Sequence, residues 1–271
     1  TIALSVIFPQ LSWAKTIEQE IQQTGILKVG IRDDSPLFGF GEEYQGYCAD
    51  FAQELANQLS QKLRKTIKVN IIQSTTQNRW DLVGKGTVHV ECGPNTISQE
   101  REGEHNIKFS NPFFVTATQI FVNQATTDEK IMRQGKIGII QDTTNANNIQ
   151  SIYPAEQIDD SFETRSQGIA AVQQGKITGF ASDGILLMGT AFVEKIDANN
   201  YNIVTPLIDE RPFCAAYGML LPDNDENALW RETINNLISK SGQGAKIWDT
   251  WFADFLPYMS SVIQACQVGI N

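Results

Sequence analysis

The sequence predicts an α/β protein built as two βαβαβ lobes, joined by a hinge that the chain crosses twice. Three observations predict it. Along the 271 residues, the order strand, helix, strand, helix, strand runs from 26 to 92 and starts again at 136. Strands alternating with helices imply a mainly parallel sheet in each half. A late strand at 215–221 is followed only by helical patterns, at 227–239 and 244–252. With no strand after them, these helices return to cover the first lobe. The chain therefore passes between lobes near 118–122 and again near 213–218, which is the anatomy of a hinge.

Each element follows from a local pattern. Residues 16–23 form a polar, helix-like lead, and 26–31 form an apolar strand ended by Arg-Asp-Asp-Ser-Pro and a glycine-rich loop to Gly46. Phe51, Leu55, Leu59 and Leu63 recur every four residues and give one helix an apolar face. A second strand spans 68–72. Trp80, Leu82 and Val83 mark a short amphipathic helix that stops at Gly84 and Gly86. Residues 87–92 then alternate with period two, as a strand with one buried face does. Gly93-Pro94 breaks this strand, and 95–101 leads into a turn or short helix before Ser110-Asn111-Pro112 closes the unit. In the second unit, strands are expected at 136–140, near Ile158 and at 177–181, with helices at 145–152, 166–174 and 185–192.

Composition narrows the function classes. There are 31 acidic and 21 basic residues, a formal charge of −10, which argues against a nucleic-acid surface. An anionic ligand remains compatible if arginines are concentrated at one site. Residues 1–14, TIALSVIFPQLSWA, read as the tail of a secretory signal peptide, the alternative being an N-terminal arm packed on the domain. Their apolar run is too short to span a bilayer. Four cysteines without CxxC spacing make a zinc site improbable. In an exported protein, Cys48 pairs best with Cys92, which lies in the same half, and Cys214 with Cys266; four buried thiols are the alternative.

The richest stretch for chemistry is 77–111. A strand ending in a Gly-Pro break, followed by Thr96 and Arg101, receives a carboxylate well: neutral donors and a bidentate guanidinium converge. Arg32, Thr96, Thr144 and Asp183 all fall at the carboxyl ends of expected strands, where open α/β sheets hold their ligands. Set against this, Thr96, Thr144 and Asp183 have the types that cap helices, Arg32, Arg79 and Arg165 the type that faces water, and 95–101 reads equally as a βα turn whose Arg101 sits in solvent. His89 reads as structural and His105 as solvated. Phe38, Phe40, Tyr44 and Tyr47 suit either a ligand wall or the core.

With these pieces assembled, the chain resembles the periplasmic amino-acid-binding proteins of ABC importers (solute-binding protein family 3, type II periplasmic-binding-protein fold), and most of all their glutamate/aspartate-binding branch. The resemblance covers about 27–252. It is carried by GYCADFAQELA at 46–56, TTQNR at 75–79, GTVHVECG at 86–93, ER at 100–101 with FSNPFF after it, DTT at 142–144 and AYGMLLPDND at 216–225. It implies that Arg101, Thr96 and Thr144 take a ligand α-carboxylate, and that Asp183 and the Pro94 carbonyl take the α-ammonium. It implies also that Arg32, Arg79 and Thr76 hold a side-chain carboxylate, with Arg165 where the branch has a histidine. Two positions depart from the pattern: Pro94 stands where a serine is usual, and Asp142 where a glycine is usual.

The resemblance implies a two-lobed, monomeric, periplasmic protein that captures glutamate or aspartate and delivers it to an ABC permease. Its first lobe would span 25–117 plus 219–265 and its second 122–214. No cofactor, metal or catalytic residue is expected, since no nucleophile–His–acid set is present. Three other readings stay open: a ligand-sensing domain of a signalling complex, a broader binder of glutamine or asparagine, and a dehydratase on the same fold. Independently of the resemblance, Arg101 and Asp183 lend opposite charges from different lobes, which matches a zwitterion.

Overall fold

In a computed structural model, which describes residues 15–126, 134–242 and 245–267, helix α1 (Ile17–Thr24) comes first. The Thr16 hydroxyl accepts from the Gln19 amide and the Gln19 side chain from the Thr16 amide, a reciprocal cap that stabilises the helix by about 1 kcal/mol. Strand β1 (Ile26–Arg32) leads into a ribbon of β2 (Asp34–Ser35) and β3 (Gly39–Phe40). Helix α2 (Tyr47–Leu63) lays Phe51, Leu55 and Leu59 on the core. Then come β4 (Lys68–Ser74), α3 (Arg79–Gly84), β5 (Val90–Cys92), α4 (Gln99–His105) and β6 (Ile107–Phe109).

The ten-residue β7 (Phe114–Asn123) carries the chain into the second lobe. There follow β8 (Ile137–Gly138), α5 (Thr144–Gln150), β9 (Ile158–Asp159), α6 (Arg165–Gln173), β10 (Gly179–Asp183), α7 (Gly184–Val193) and β11 (Tyr201–Val204). A small ribbon of β12 (Leu207–Ile208) and β13 (Arg211–Pro212) precedes β14 (Cys214–Tyr217) and β15 (Leu220–Pro222). Helices α8 (Ala228–Lys240), α9 (Lys246–Phe252) and α10 (Leu256–Gln267) end the described chain. None of the described helices is long and apolar enough to cross a membrane.

The first sheet has the order β4-β1-β5-β15-β6, with β4, β1 and β5 parallel. The second has the order β11-β7-β10-β8-β9. The first half of β7 pairs with β14 (Cys214 opposite Ala117), and its second half with β10 and β11. The two crossings therefore run side by side. Trp230, Ile234, Trp248 and Phe252 of the late helices join the core of Val29, Ile31, Phe51 and Leu55, so these helices do cover the first lobe. A 2.03 Å sulfur–sulfur bond joins Cys48 to Cys92, and a second disulfide joins Cys214 on β14 to Cys266 on α10.

Four features differ from the sequence reading. His89 and Glu91 are as buried as Val88 and Val90, because a sheet covered by helices on both sides has no solvent face. The second sheet is mixed: β7 arrives through the hinge and runs antiparallel to both β10 and β11, leaving only β10–β8 and β8–β9 parallel. The expected strand at 215–221 is two strands in two sheets. It divides at Gly218, where a Cβ would sit 2.9 Å from Ile97 Cγ1. Helix α10 has no counterpart in the sequence reading. The suggested signal segment, 1–14, lies outside the described residues.

Candidate functional site

The carboxyl ends of β1, β4 and β5 form one wall of a cleft. Arg32 is the last residue of β1 and only 2 % exposed. Its Nη2 donates to Asp34 Oδ2 and to Thr76 Oγ1, both at 2.8 Å. The Thr76 carbonyl in turn accepts from Arg79 Nη1. Arg79, 5 % exposed at the start of α3, lies 4.3 Å from the Trp80 ring centroid, and the half-buried Arg101 lies 5.6 Å from it. One indole thus carries two guanidiniums, with His105 stacked on it at 4.8 Å. Burial, then repulsion from Arg32, draws Arg79 down to about 9. Burial also lowers Arg101.

Beneath these cations lies Glu91, with no exposed surface. Its carboxylate accepts from Ser74 Oγ at 2.7 Å and Asn95 Nδ2 at 2.6 Å. Burial raises its pKa, against the pull of Ser74, Arg32 and Arg79. The backbone yields to it twice: a Cβ on Gly30 would sit 2.8 Å from Glu91 Cγ, and one on Gly93 2.9 Å from Glu91 Oε1. Asp34 belongs to the same group. Burial opposes its charge, but Arg32 and Arg165 together hold its pKa below the ordinary value.

The second lobe supplies the facing wall. Thr143 caps α5 by accepting from the Ala146 amide, so the Thr144 hydroxyl is free to reach across to Thr96 Oγ1 at 3.2 Å. Ser98 caps α4 in the same way, which leaves Thr96 outside any cap. Asp183, 4 % exposed, ends β10 at the N-cap position of α7 yet makes no capping bond. Its Oδ2 accepts from Asn145 Nδ2 at 3.0 Å, and its Oδ1 has no partner. Burial raises its pKa, and the Tyr217 hydroxyl beside it is raised likewise. That hydroxyl makes no bond of ordinary length. Arg165 donates from Nε to Ser182 Oγ at 3.1 Å, and from Nη1 to the Asp34 carbonyl of the opposite lobe at 3.3 Å.

Between the walls lies a cavity of about 650 Å³, bordered by Thr76, Trp80 and Arg101 on one side and Gln141, Asp142 and Asn147 on the other. Arg101 borders this outer space. Asp183 is not among the residues that line it, and no direct bond joins Asp183 to Arg101 among the described residues. Arg32, Arg79 and Thr76 are within one bonded group, and Arg165 reaches that group through Asp34. Pro94 is half-buried in the loop after β5. Asp142, at φ 59°, is exposed and leaves the capping to Thr143. Phe38 and Tyr47 are core residues with no exposed surface, and Phe40 packs on Trp251; none is a ligand wall.

Five residues of the site went unread in the sequence: Asp34, Glu91, Trp80 as a platform for cations, Asn145 and Tyr217. Asp34 carried a signal, since two acids directly after the arginine at a strand end leave one near the guanidinium. Glu91 carried a misleading one, since its alternation put it on a solvent face. Among the described residues, no group of three or more His, Cys, Asp or Glu is arranged to hold a metal ion.

Two α/β lobes meeting through paired crossings, with charged groups of both signs on the cleft between them, define a type II solute-binding protein. Residues 27–254 match the family model of bacterial extracellular solute-binding proteins, family 3, and the chain belongs to that family. It is 26 % identical over 250 residues to the glutamate/aspartate import solute-binding protein of Escherichia coli K12, covering 88 % of this chain and 80 % of that one. It is 25 % identical over 199 residues to the glutamine-binding protein of Geobacillus stearothermophilus, covering 72 % and 73 %. Its fold is similar to the GluR0 ligand-binding core of Nostoc punctiforme in complex with L-glutamate. There the TM-score is 0.66 at 20 % identity, over 83 % of this chain and 99 % of that one.

Proposed function

We propose that this protein captures an acidic L-amino acid, glutamate or aspartate, between its lobes on the outer side of the cytoplasmic membrane, and delivers it as a monomer to an ABC permease. The observation that carries the reading is the set of four arginines, with Arg32, Arg79 and Arg165 tied through Thr76 and Asp34, Arg101 sharing the Trp80 ring with Arg79 at the adjoining cavity, and the buried Asp183 on the second lobe. Glu100, Glu104 and Asp142 line the outer cavity and Asp34 is half exposed, but the two buried guanidiniums of Arg32 and Arg79 stand over a single buried carboxylate, Glu91. A buried excess of charge is costly unless a ligand neutralises it. A zwitterion with one further carboxylate does so.

In this reading Arg101, Thr96 and Thr144 hold the α-carboxylate. Asp183, whose Oδ1 is unpartnered, takes the α-ammonium with the Pro94 carbonyl. Arg32, Arg79 and Thr76, with Arg165 from the second lobe, hold the side-chain carboxylate. Each charge-assisted bond contributes roughly 1.5–3 kcal/mol, and after the cost of closure several of them reach about −8 kcal/mol, micromolar affinity. The functions for which the Escherichia coli and Geobacillus stearothermophilus relatives are named, glutamate/aspartate import and glutamine binding, support a ligand of this class.

Isothermal calorimetry with glutamate, aspartate, glutamine and asparagine tests the reading. The wild type should prefer the acids, and Arg101→Ala should lose all four ligands by about a hundredfold or more. A wild type that binds none of the four, or that prefers a cationic amino acid, would overturn it.

A further inference from the structure

Arg32 is not a vacant cation. The nitrogen that bonds Thr76 also bonds Asp34 Oδ2 at 2.8 Å, and Asp34 Oδ1 accepts from Ser35 Oγ at 3.0 Å. The Asp34 side chain keeps 45 % of its surface exposed, whereas that of Arg32 keeps 3 %. Arg165 of the opposite lobe donates to the Asp34 backbone carbonyl at 3.3 Å, so cations from both lobes flank this one residue. A side-chain carboxylate brought to Arg32 would therefore meet a carboxylate already in residence. Like charges brought this close repel even where one of them is partly solvated.

We propose that Asp34 is a specificity-determining residue, a tethered anion that shares Arg32 and Arg165 with the ligand and narrows the preference for carboxylate over carboxamide side chains. A carboxamide is not repelled by Asp34: its carbonyl oxygen accepts from the arginines while its amino group donates to the Asp34 carboxylate. A carboxylate accepts the same arginine bonds but faces Asp34 with no proton to offer. Asp34 thus favours the amide ligand and disfavours the acid one. This inference rests on the acidic-amino-acid reading of the site and states how far its selectivity goes.

The test is calorimetry at pH 7.5 with glutamate and glutamine on the wild type, Asp34→Asn and Asp34→Ala. Thermal melts serve to verify that each variant is folded. In both variants the ratio of glutamine to glutamate dissociation constants should rise at least tenfold, chiefly because glutamate binds more tightly. A ratio within threefold of wild type in both variants, or weaker glutamate binding in both, overturns the role of Asp34 and leaves the proposed function standing. A wild type that binds neither amino acid removes the proposed function, and this inference with it.

Discussion

Replacing Arg79 with methionine should make the ligand-free protein more stable while removing its preference for an acidic ligand. Arg79 is 5 % exposed, and burial, then Arg32, brings its pKa down to about 9. At about 1.4 kcal/mol per pKa unit, holding the guanidinium charged costs the empty fold roughly 5 kcal/mol. The sign follows from linkage: the cost is fully present below pH 9 and relieved only as the pH climbs above it. At neutral pH it therefore applies in full. Methionine gives up the bond to the Thr76 carbonyl and the contact with Trp80, together roughly 1–3 kcal/mol. The net gain is about 2–4 kcal/mol, a rise in Tm of roughly 5–15 °C for a chain of this size. Glutamate should meanwhile bind about 10- to 100-fold more weakly, and glutamine within about threefold of wild type. Thermal unfolding with and without ligand, beside calorimetry, measures both effects. An Arg79→Met protein that melts below the wild type and still binds glutamate as tightly would refute the argument.

Two further predictions concern stability. His89 Nδ1 accepts from the Lys28 amide at 3.1 Å, and burial, then the charge of Lys28, lowers its pKa from 6.5 to about 4. The unfolded chain takes up that proton first, so stability is full above pH 6.5 and falls as the pH drops toward 4. Between pH 7.5 and 4.5 His89 alone should account for about 2.5 kcal/mol. Denaturant unfolding of His89→Gln should show a correspondingly smaller drop, and an equal drop would clear His89 of the effect. The Cys214–Cys266 disulfide closes a separation of 52 residues between β14 and α10, and removing it should cost about 4 kcal/mol on chain entropy. The Cys214→Ala/Cys266→Ala double variant should melt well below the wild type in non-reducing buffer, and unchanged melting would argue against that cross-link.

The lobes and their order were legible because hydrophobic periodicity and turn chemistry are local. The Phe51-Leu55-Leu59 face and the breaks at Gly93-Pro94 and Ser110-Asn111-Pro112 needed no partner to be read. The direction of a strand within its sheet is not local. The antiparallel entry of β7 depends on which lobe the chain has just left, and the division of 215–221 depends on Ile97 standing against Gly218. Arg32 was legible at a strand end and Arg101 after the Gly-Pro break, while Arg79 and Arg165 entered through the resemblance. Their mutual contacts were not, since the Trp80 platform, Glu91 below it and Asp34 beside it are products of packing. Glu91 is instructive: alternation assigned it to water, and only the cover of helices on both faces buries it.

Ligand capture in such a molecule depends on how the lobes meet, and here they meet through more than polar bonds. Helix α7 is apolar on every side because it serves two cores. Leu187 and Ala191 pack with Phe121 and Phe180 of the second lobe, while Ile185, Leu186 and Met188 join the core that holds Leu37 of the first. Gly189 faces the first lobe closely, since a Cβ there would lie 3.1 Å from Leu37 Cγ and 3.2 Å from Pro36 Cβ. An alanine there needs its neighbours to give by a few tenths of an ångström; a leucine does not fit unless the lobes part. Overpacking of this kind costs about 1–3 kcal/mol, and the open state escapes that cost. Gly189→Leu should therefore weaken acid and amide ligands alike, by roughly 5- to 150-fold, with Gly189→Ala between it and the wild type. Equal loss for every ligand distinguishes this wedge from Arg79→Met, which discriminates between them. Small-angle scattering with saturating glutamate should show a larger radius of gyration for the leucine variant. If it compacts and binds like the wild type, the contact between α7 and Leu37 is not the surface on which the lobes close.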